Sequence, residues 1–440
     1  MRQNRRRFIT SSAALGMGLW LGNDALAELE APIVAPPLLK NERIRFACIG
    51  VGGKGDSDTA DAARFGDIVA ICDVDDNTLA EAAKKYPGAR RYNDYRRMLD
   101  ELAGQIDAVT VSTPDHHHAP AAAQAIALGK HCFCQKPLTH SLYEARKLAE
   151  LARKHQVATQ MGNQGTADSG LRRAAARLRA GVVGTVRELH VWTDRPIWAQ
   201  GHARPAEAPV PSNLHWDLWL GPAPKRPYGE GYHTFSWRGF WDFGTGALGD
   251  MGCHTLNMPF MALDLRDPES VVAETSGHNG DSLPSWSIVQ YRFRALKTRP
   301  ALSLTWYDGG KKPPADLFDG RELEGSGALI LGDKGKLYIP GDYAGGDGVL
   351  LGGVDVGEPT FPVSPGHFEE FVRAMRDGTP AMSNFPGYAG PLAEMVLVGN
   401  LAVWAGGSKV EWDAKRLRAK GADGLETRIR PVYQNGWKAI

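Results

Sequence analysis

Three ionisable side chains of this 440-residue chain stand where a proton could pass between protein and substrate. Lys136 follows the apolar run HCFC and directly precedes Pro137, while Asp250 and His254 lie four residues apart in GTGALGDMGCHTLN. On a helix that spacing puts both side chains on one face. The carboxylate would orient the imidazole and hold it near its working pKa. Together they could exchange a proton with a hydroxyl while hydride leaves the same carbon.

These groups need a frame, and the sequence before them supplies one. IRFACIG is an apolar run, VGGKGDSDTADAARFG a glycine turn opening a helix, and DIVAICDVD a second apolar run. LAEAAKKYP is helical, DAVTVSTPD reads as a strand, and APAAAQAIALG and KHCFCQKP repeat the alternation. Short apolar runs alternating with amphipathic helices predict an α/β fold, a parallel sheet wound on both faces. The first turn, Gly50-Val51-Gly52-Gly53-Lys54-Gly55, fits G-x-G-x-x-G, and the next strand ends in Asp73. Glycines there let the backbone approach a pyrophosphate, and an acid at that distance can accept ribose hydroxyls. A dinucleotide is therefore expected, NAD rather than NADP because Asp73 would repel a 2′-phosphate, with Lys54 leaving NADP as the lesser alternative. The carboxyl ends of such strands face the cofactor crevice, which points Lys136 at the reaction site.

Taken together, the glycine turn, STPDHHHAP, Gln135-Lys136-Pro137 and Asp250-Met251-Gly252-Cys253-His254 resemble the Gfo/Idh/MocA oxidoreductase family. The resemblance implies a Rossmann domain followed by an α/β domain with a large open, mostly antiparallel sheet. It implies Lys136, Asp250 and His254 as the catalytic group. Cofactor contacts are expected from Gly50, Gly52, Gly53, Lys54, Gly55, Asp73, Thr113, Pro114, His118, Gln135 and Lys136. It also implies packing against another subunit, as a homodimer or homotetramer. Gln135 stands where the family usually has Glu, and Asn257 where an Asp often follows the histidine. His116, His117 and His118 are read as part of a loop near the cofactor and not as metal ligands, since no further ligands accompany them.

The predicted boundaries are residues 43–162 for the nucleotide domain and 163–440 for a substrate and oligomerisation domain, in which late helices such as HFEEFVRAMRDG cover the remaining surface. Six of the twelve tryptophans (Trp192, Trp198, Trp216, Trp219, Trp237, Trp241) fall between residues 190 and 245, among polar side chains. Aromatic faces suit the C–H face of a pyranose, so a carbohydrate or polyol is the expected substrate, with Asn163, His215 and Arg238 as contacts.

The start of the chain bears on where this happens. Arg5-Arg6-Arg7-Phe8-Ile9, a short apolar run and Ala25-Leu26-Ala27 have the order of a twin-arginine signal peptide, residues 1–27, followed by a Pro-rich linker or arm, 28–42. Export to the periplasm is expected. Without residues 1–27 the net charge is about −2, which gives no general attraction to nucleic acid or anionic lipid. Cys48, Cys72, Cys132 and Cys134 lie in apolar strand-like runs and read as reduced, buried thiols, compatible with folding before export. An exported enzyme cannot draw on a large NAD pool, so the cofactor is expected to be retained and restored within each cycle. The expected activity is an NAD(H)-dependent oxidoreductase on a sugar, glycoside or polyol. The alternative is a redox-neutral glycosidase or lyase that oxidises, eliminates and reduces again. A scaffold protein that keeps the fold without catalysis is the third class.

Overall fold

The computed structural model describes residues 42–438 and 440; the arginine motif, the apolar run and nearly all of the Pro-rich arm lie outside the described residues. Six strands form the first sheet: β1 (Ile44–Ile49), β2 (Gly66–Cys72), β3 (Arg90–Tyr92), β4 (Ala108–Val111), β5 (His131–Cys134) and β6 (Thr159–Met161). Their order is β3-β2-β1-β4-β5-β6, and every pairing is parallel. β4 and β5 are buried along their whole length, the pattern expected of strands covered on both faces. The crossovers are α1 (Lys54–Phe65), α2 (Asp76–Lys85), α3 (Tyr95–Leu102), α4 (Asp115–Ala127) and α5 (Leu142–His155). Local chemistry starts two of them: Asp75 caps α2 by accepting from Asn77 N, and Ser141 with Glu144 makes a reciprocal capping box at α5. The strand order reverses between β1 and β4, which opens a crevice above their carboxyl ends.

After α6 (Ser169–Arg179) the chain builds a second sheet of nine strands. They are β7 (Val186–Trp192), β8 (Ser270–Thr275), β9 (Ser287–Phe293), β10 (Leu302–Tyr307), β11 (Gly327–Gly332), β12 (Gly335–Pro340), β13 (Val349–Gly352), β14 (Val410–Asp413) and β15 (Arg418–Lys420). The order is β13-β12-β11-β7-β10-β9-β8-β14-β15, antiparallel except where β7 meets β10. Between β7 and β8 lie α7 (Trp216–Leu220), α8 (Gly246–Thr255) and α9 (Asn257–Leu263).

Three late helices close the fold: α10 (His367–Asp377), α11 (Gly390–Trp404) and α12 (Leu425–Ile429). α10 does not simply cover leftover surface. Its Phe368, Phe371, Val372 and Met375 form one core with Phe46 of β1 and Phe133 of β5, so it completes the back layer of the first sheet. α11 is apolar on nearly every side and buried between the layers, as such a pattern requires. Among the described residues no helix is long and apolar enough to cross a membrane.

Candidate active site

A cavity of about 720 Å³ lies over the crevice between β1 and β4 and reaches into the second domain. Its floor is the glycine turn. Gly50 has φ +73°, and a Cβ on it would stand 2.6 Å from Ser112 O. Gly55 does not line the cavity; a Cβ there would come 1.9 Å from Gly50 O, so it lets α1 pack tightly against the turn. Gly52, Gly53 and Lys54 face the cavity, and Gly53 has nothing within 4 Å of where a Cβ would be, which leaves backbone open to a ligand. Asp73, at the end of β2, accepts from Val51 N and Asp75 N, both at 3.0 Å, and also lines the cavity. Thr113 and Pro114 form the wall after β4, and the Thr113 hydroxyl has no partner within the protein. A narrow glycine floor at a helix start, an acid at the end of the second strand and an unsatisfied hydroxyl fit a dinucleotide.

Lys54, expected at the cofactor, has its Nζ 2.6 Å from Asp58 Oδ1 and 2.7 Å from Ser57 Oγ. Asp58 is almost fully buried, and its other oxygen accepts from Ser112 Oγ at 2.7 Å and Gln135 Nε2 at 2.9 Å. Gln135 is thus the amide that a buried carboxylate requires as neighbour.

At the other end of the cavity, β5 delivers Lys136 and α8 delivers Asp250 and His254. Lys136 Nζ donates to Asp250 Oδ1 at 2.6 Å and to Asp250 O at 3.0 Å. Arg238 Nε stands 3.3 Å from the same carboxylate oxygen, its guanidinium 4.2 Å from the Trp237 ring. Burial alone would raise the Asp250 carboxyl, but the charges of Lys136 and Arg238 outweigh it and hold it below the usual range. Asp250 is therefore an anion held by two cations. The expected carboxylate–imidazole pairing is replaced: burial, aided by Lys136, pushes His254 down to about 3, and its Nδ1 has no partner. His254 is a neutral imidazole whose unpartnered Nδ1 can meet a substrate hydroxyl, with the Tyr343 ring edge-on at 4.8 Å.

His118 does not line the cavity; its ring nitrogens lie 2.7 Å from Pro137 O and 2.8 Å from Thr113 O, which fixes the turn that carries Lys136. The other two histidines of the triple also meet backbone carbonyls, Phe243 O and Trp219 O for His116 and Trp219 O for His117. All three begin α4 and are not in a loop. Among the described residues no group of His, Cys, Asp or Glu is arranged to hold a metal. All five cysteines are buried and free.

Two expected substrate contacts fall elsewhere. Asn163 is fully buried, with Oδ1 accepting from Ser383 Oγ at 2.5 Å, and the next residue, Gln164, lines the cavity instead. His215 pairs with Asp76 at 3.1 Å on the outer surface. Asn257 is likewise enclosed, bonded to Thr166 and Tyr388. Of the six clustered tryptophans only Trp219 and Trp237 reach the cavity; Trp192 packs on Phe318 and Tyr338, and Trp241 on Trp404. Sequence reasoning missed Asp115, Tyr95, Phe235, Tyr343 and Trp437, which line it. Asp115 carried a signal, its place beside STP at a strand end. Burial raises its carboxyl to about 7, while Thr245 donates to it from N and Oγ1 at 3.1 and 2.7 Å.

Comparison with known proteins extends this picture. Residues 44–163 match an oxidoreductase family described as an NAD-binding Rossmann fold, and residues 182–438 match the C-terminal alpha/beta domain of an oxidoreductase family. A glycosyl hydrolase family 109 protein of Shewanella pealeana is 28% identical over 174 residues, a stretch that is 36% of this chain and only 38% of that relative. The WlbA dehydrogenase of Bordetella pertussis, solved with NADH and UDP-GlcNAcA, shares the fold at TM-score 0.61 and 17% identity, over 84% of this chain and 99% of the other. So does an aldose-aldose oxidoreductase of Caulobacter crescentus complexed with glycerol, at TM-score 0.55 and 15% identity, over 86% and 100%.

Proposed function

The chain belongs to the Gfo/Idh/MocA oxidoreductases, and we propose that this NAD-binding enzyme takes hydride from a hydroxyl-bearing carbon of a sugar, glycoside or polyol. The observation that carries the reading is one cavity with a dinucleotide floor at one end and the Lys136–Asp250–Arg238 cluster beside His254 at the other. A bound nicotinamide dinucleotide supplies the hydride acceptor. The protein supplies orientation and proton handling. Lys136, held by Asp250, donates toward the substrate oxygen; His254, with its unpartnered Nδ1, is placed to hydrogen-bond the reacting hydroxyl; Arg238 keeps Asp250 charged throughout. Trp237, Phe235 and Tyr343 provide apolar faces against which a sugar ring can lie.

NAD is favoured over NADP because Asp73, at the end of β2, is placed to accept from ribose hydroxyls and would repel a 2′-phosphate, while Lys54 is engaged by Asp58. The twin-arginine reading of residues 1–27 supports export with the cofactor loaded and retained. A homodimer or homotetramer built on the open sheet is part of the same proposal.

A retained cofactor needs its hydride returned, and the likeness to a glycosyl hydrolase favours a second reading. Oxidising a ring hydroxyl of a glycoside acidifies the adjacent C–H, a base then expels the leaving group, and the hydride returns after water adds. Product analysis separates the two. Accumulating reduced cofactor without release of an aglycone means an oxidoreductase awaiting its acceptor, and repeated aglycone release without lasting reduction means redox-neutral cleavage. A protein that does neither with any glycoside or polyol of a broad panel would sink both readings.

A further inference from the structure

The dinucleotide cavity has a wall that no motif announces. Beyond α12 the segment 433–438 runs between the two domains and is fastened to both. Tyr433 donates its hydroxyl to Glu144 Oε1 at 2.6 Å, and Gln434 N donates to Pro222 O at 3.0 Å. Asn435 Nδ2 donates to Gly221 O and Ala223 O, both at 2.9 Å. Trp437 N closes a turn on Gln434 O at 2.9 Å. The indole then lands on the nucleotide domain. The Arg96 guanidinium, itself fixed by Asp94, lies 4.1 Å from its centroid, with the Tyr95 ring at 5.5 Å and the His117 ring at 5.4 Å.

Trp437 lines the same cavity as Asp73, Val74, Tyr95 and Trp219. In a doubly wound nucleotide fold the acid at the end of the second strand marks the adenosine ribose. The indole is therefore at the adenosine end, opposite the chemistry. We propose that Trp437 is a cofactor-binding residue that closes the adenosine end, and that segment 433–437 is the latch that keeps the dinucleotide in place between turnovers. This rests on the dinucleotide reading of the preceding subsection. An aromatic face against adenine contributes by stacking, and the bonds to Gly221, Pro222 and Ala223 must yield before the indole can lift. Slow release follows from both, because dissociation then requires the segment to move as well as the ligand.

The test compares NADH release and binding in the full-length protein and in Trp437→Ala, Trp437→Phe and Asn435→Asp, with Val363→Ser as an exposed control. Release from the Trp437→Ala protein is expected to be at least about tenfold faster, with Trp437→Phe intermediate and Asn435→Asp shifted the same way. Affinity for ADP-ribose should fall by a similar factor, while that for nicotinamide mononucleotide stays within twofold. Because Trp437 is only partly buried and Asn435→Asp preserves side-chain size, melting temperatures of these variants should stay close to the parent. Release rates that agree within twofold across the set would overturn the latch and leave the dinucleotide site standing. A parent protein that binds no NADH would overturn both.

Discussion

Gln135 shows how a single side chain can be explained by its neighbours. Its amide donates to a buried Asp58 oxygen at 2.9 Å, beside the hydroxyl of Ser112, and Lys54 takes the other oxygen. An acid at 135 would set two carboxylates against each other and remove that bond. We expect Gln135→Glu to lose about 1–3 kcal/mol in urea denaturation at neutral pH, a deficit that shrinks in acid as the introduced carboxyl takes a proton. Lys136→Met tests the adjacent residue: hydride transfer should fall by about 10²–10⁴-fold, while NADH affinity stays within a few-fold. These residues were legible in the sequence because they sit at strand ends and helix starts, where residue type and position fix direction together. The cavity contact expected at Asn163 falls one position later, at Gln164. The Asn163 side chain turns toward Ser383 and the cavity receives Gln164, a choice made by the short turn after β6 that no spacing rule specifies.

At the scale of elements, α8 does most to assemble the site, since it presents Asp250 and His254 from one face toward Lys136, just after β5. Its position depends on buried polar ties: Thr245, which precedes it, donates to Asp115 at the start of α4. A comparable tie holds α10. Arg172 of α6 donates to Glu370 of α10 at 2.6 Å, with both side chains almost fully buried, and also to Thr166 O and Pro362 O. Removing one partner leaves a buried charge alone, so Arg172→Met should cost about 3–5 kcal/mol in a denaturant titration. The alternating strands and helices of the first domain could be read directly, because parallel strands covered on both faces are continuous apolar runs. The role of α10 could not. Its apolar face is visible in HFEEFVRAMRDG, but that a helix more than 200 residues after β6 should return to the first sheet is a fact of tertiary packing. The scattering of the tryptophans has the same cause, since nearness in sequence placed only Trp219 and Trp237 at the cavity.

The whole molecule carries an acid-sensitive set of histidines. Burial first, together with nearby cations or other histidines in several cases, lowers His117, His118, His131, His140 and His367 to about 4 and His254 to about 3. Unfolded, each titrates near about 6.5, so the unfolded chain binds protons that the folded one refuses. Their stabilisation is complete above about pH 6.5 and is lost as the pH falls toward 4. Burial acts oppositely on Asp115 and Glu144, raised to about 7, and Asp308, raised to about 6. Their contribution is present below about pH 4 and lost as the pH rises through those values. The histidines outnumber the carboxyls, so melting temperature should rise with pH from about 4 to about 7 and level off above that. A flat profile between pH 4 and 7 would contradict these burial assignments. At this scale the cavity is proposed to join a retained dinucleotide to the Lys136 cluster. The direct measurement is to purify the full-length protein, denature it, and quantify NAD and NADH before and after exposure to a panel of glycosides and polyols. We expect a stoichiometric dinucleotide whose redox state responds to some members of the panel, transiently if the hydride is returned. Protein that carries no dinucleotide and takes up none when NAD is supplied would contradict it.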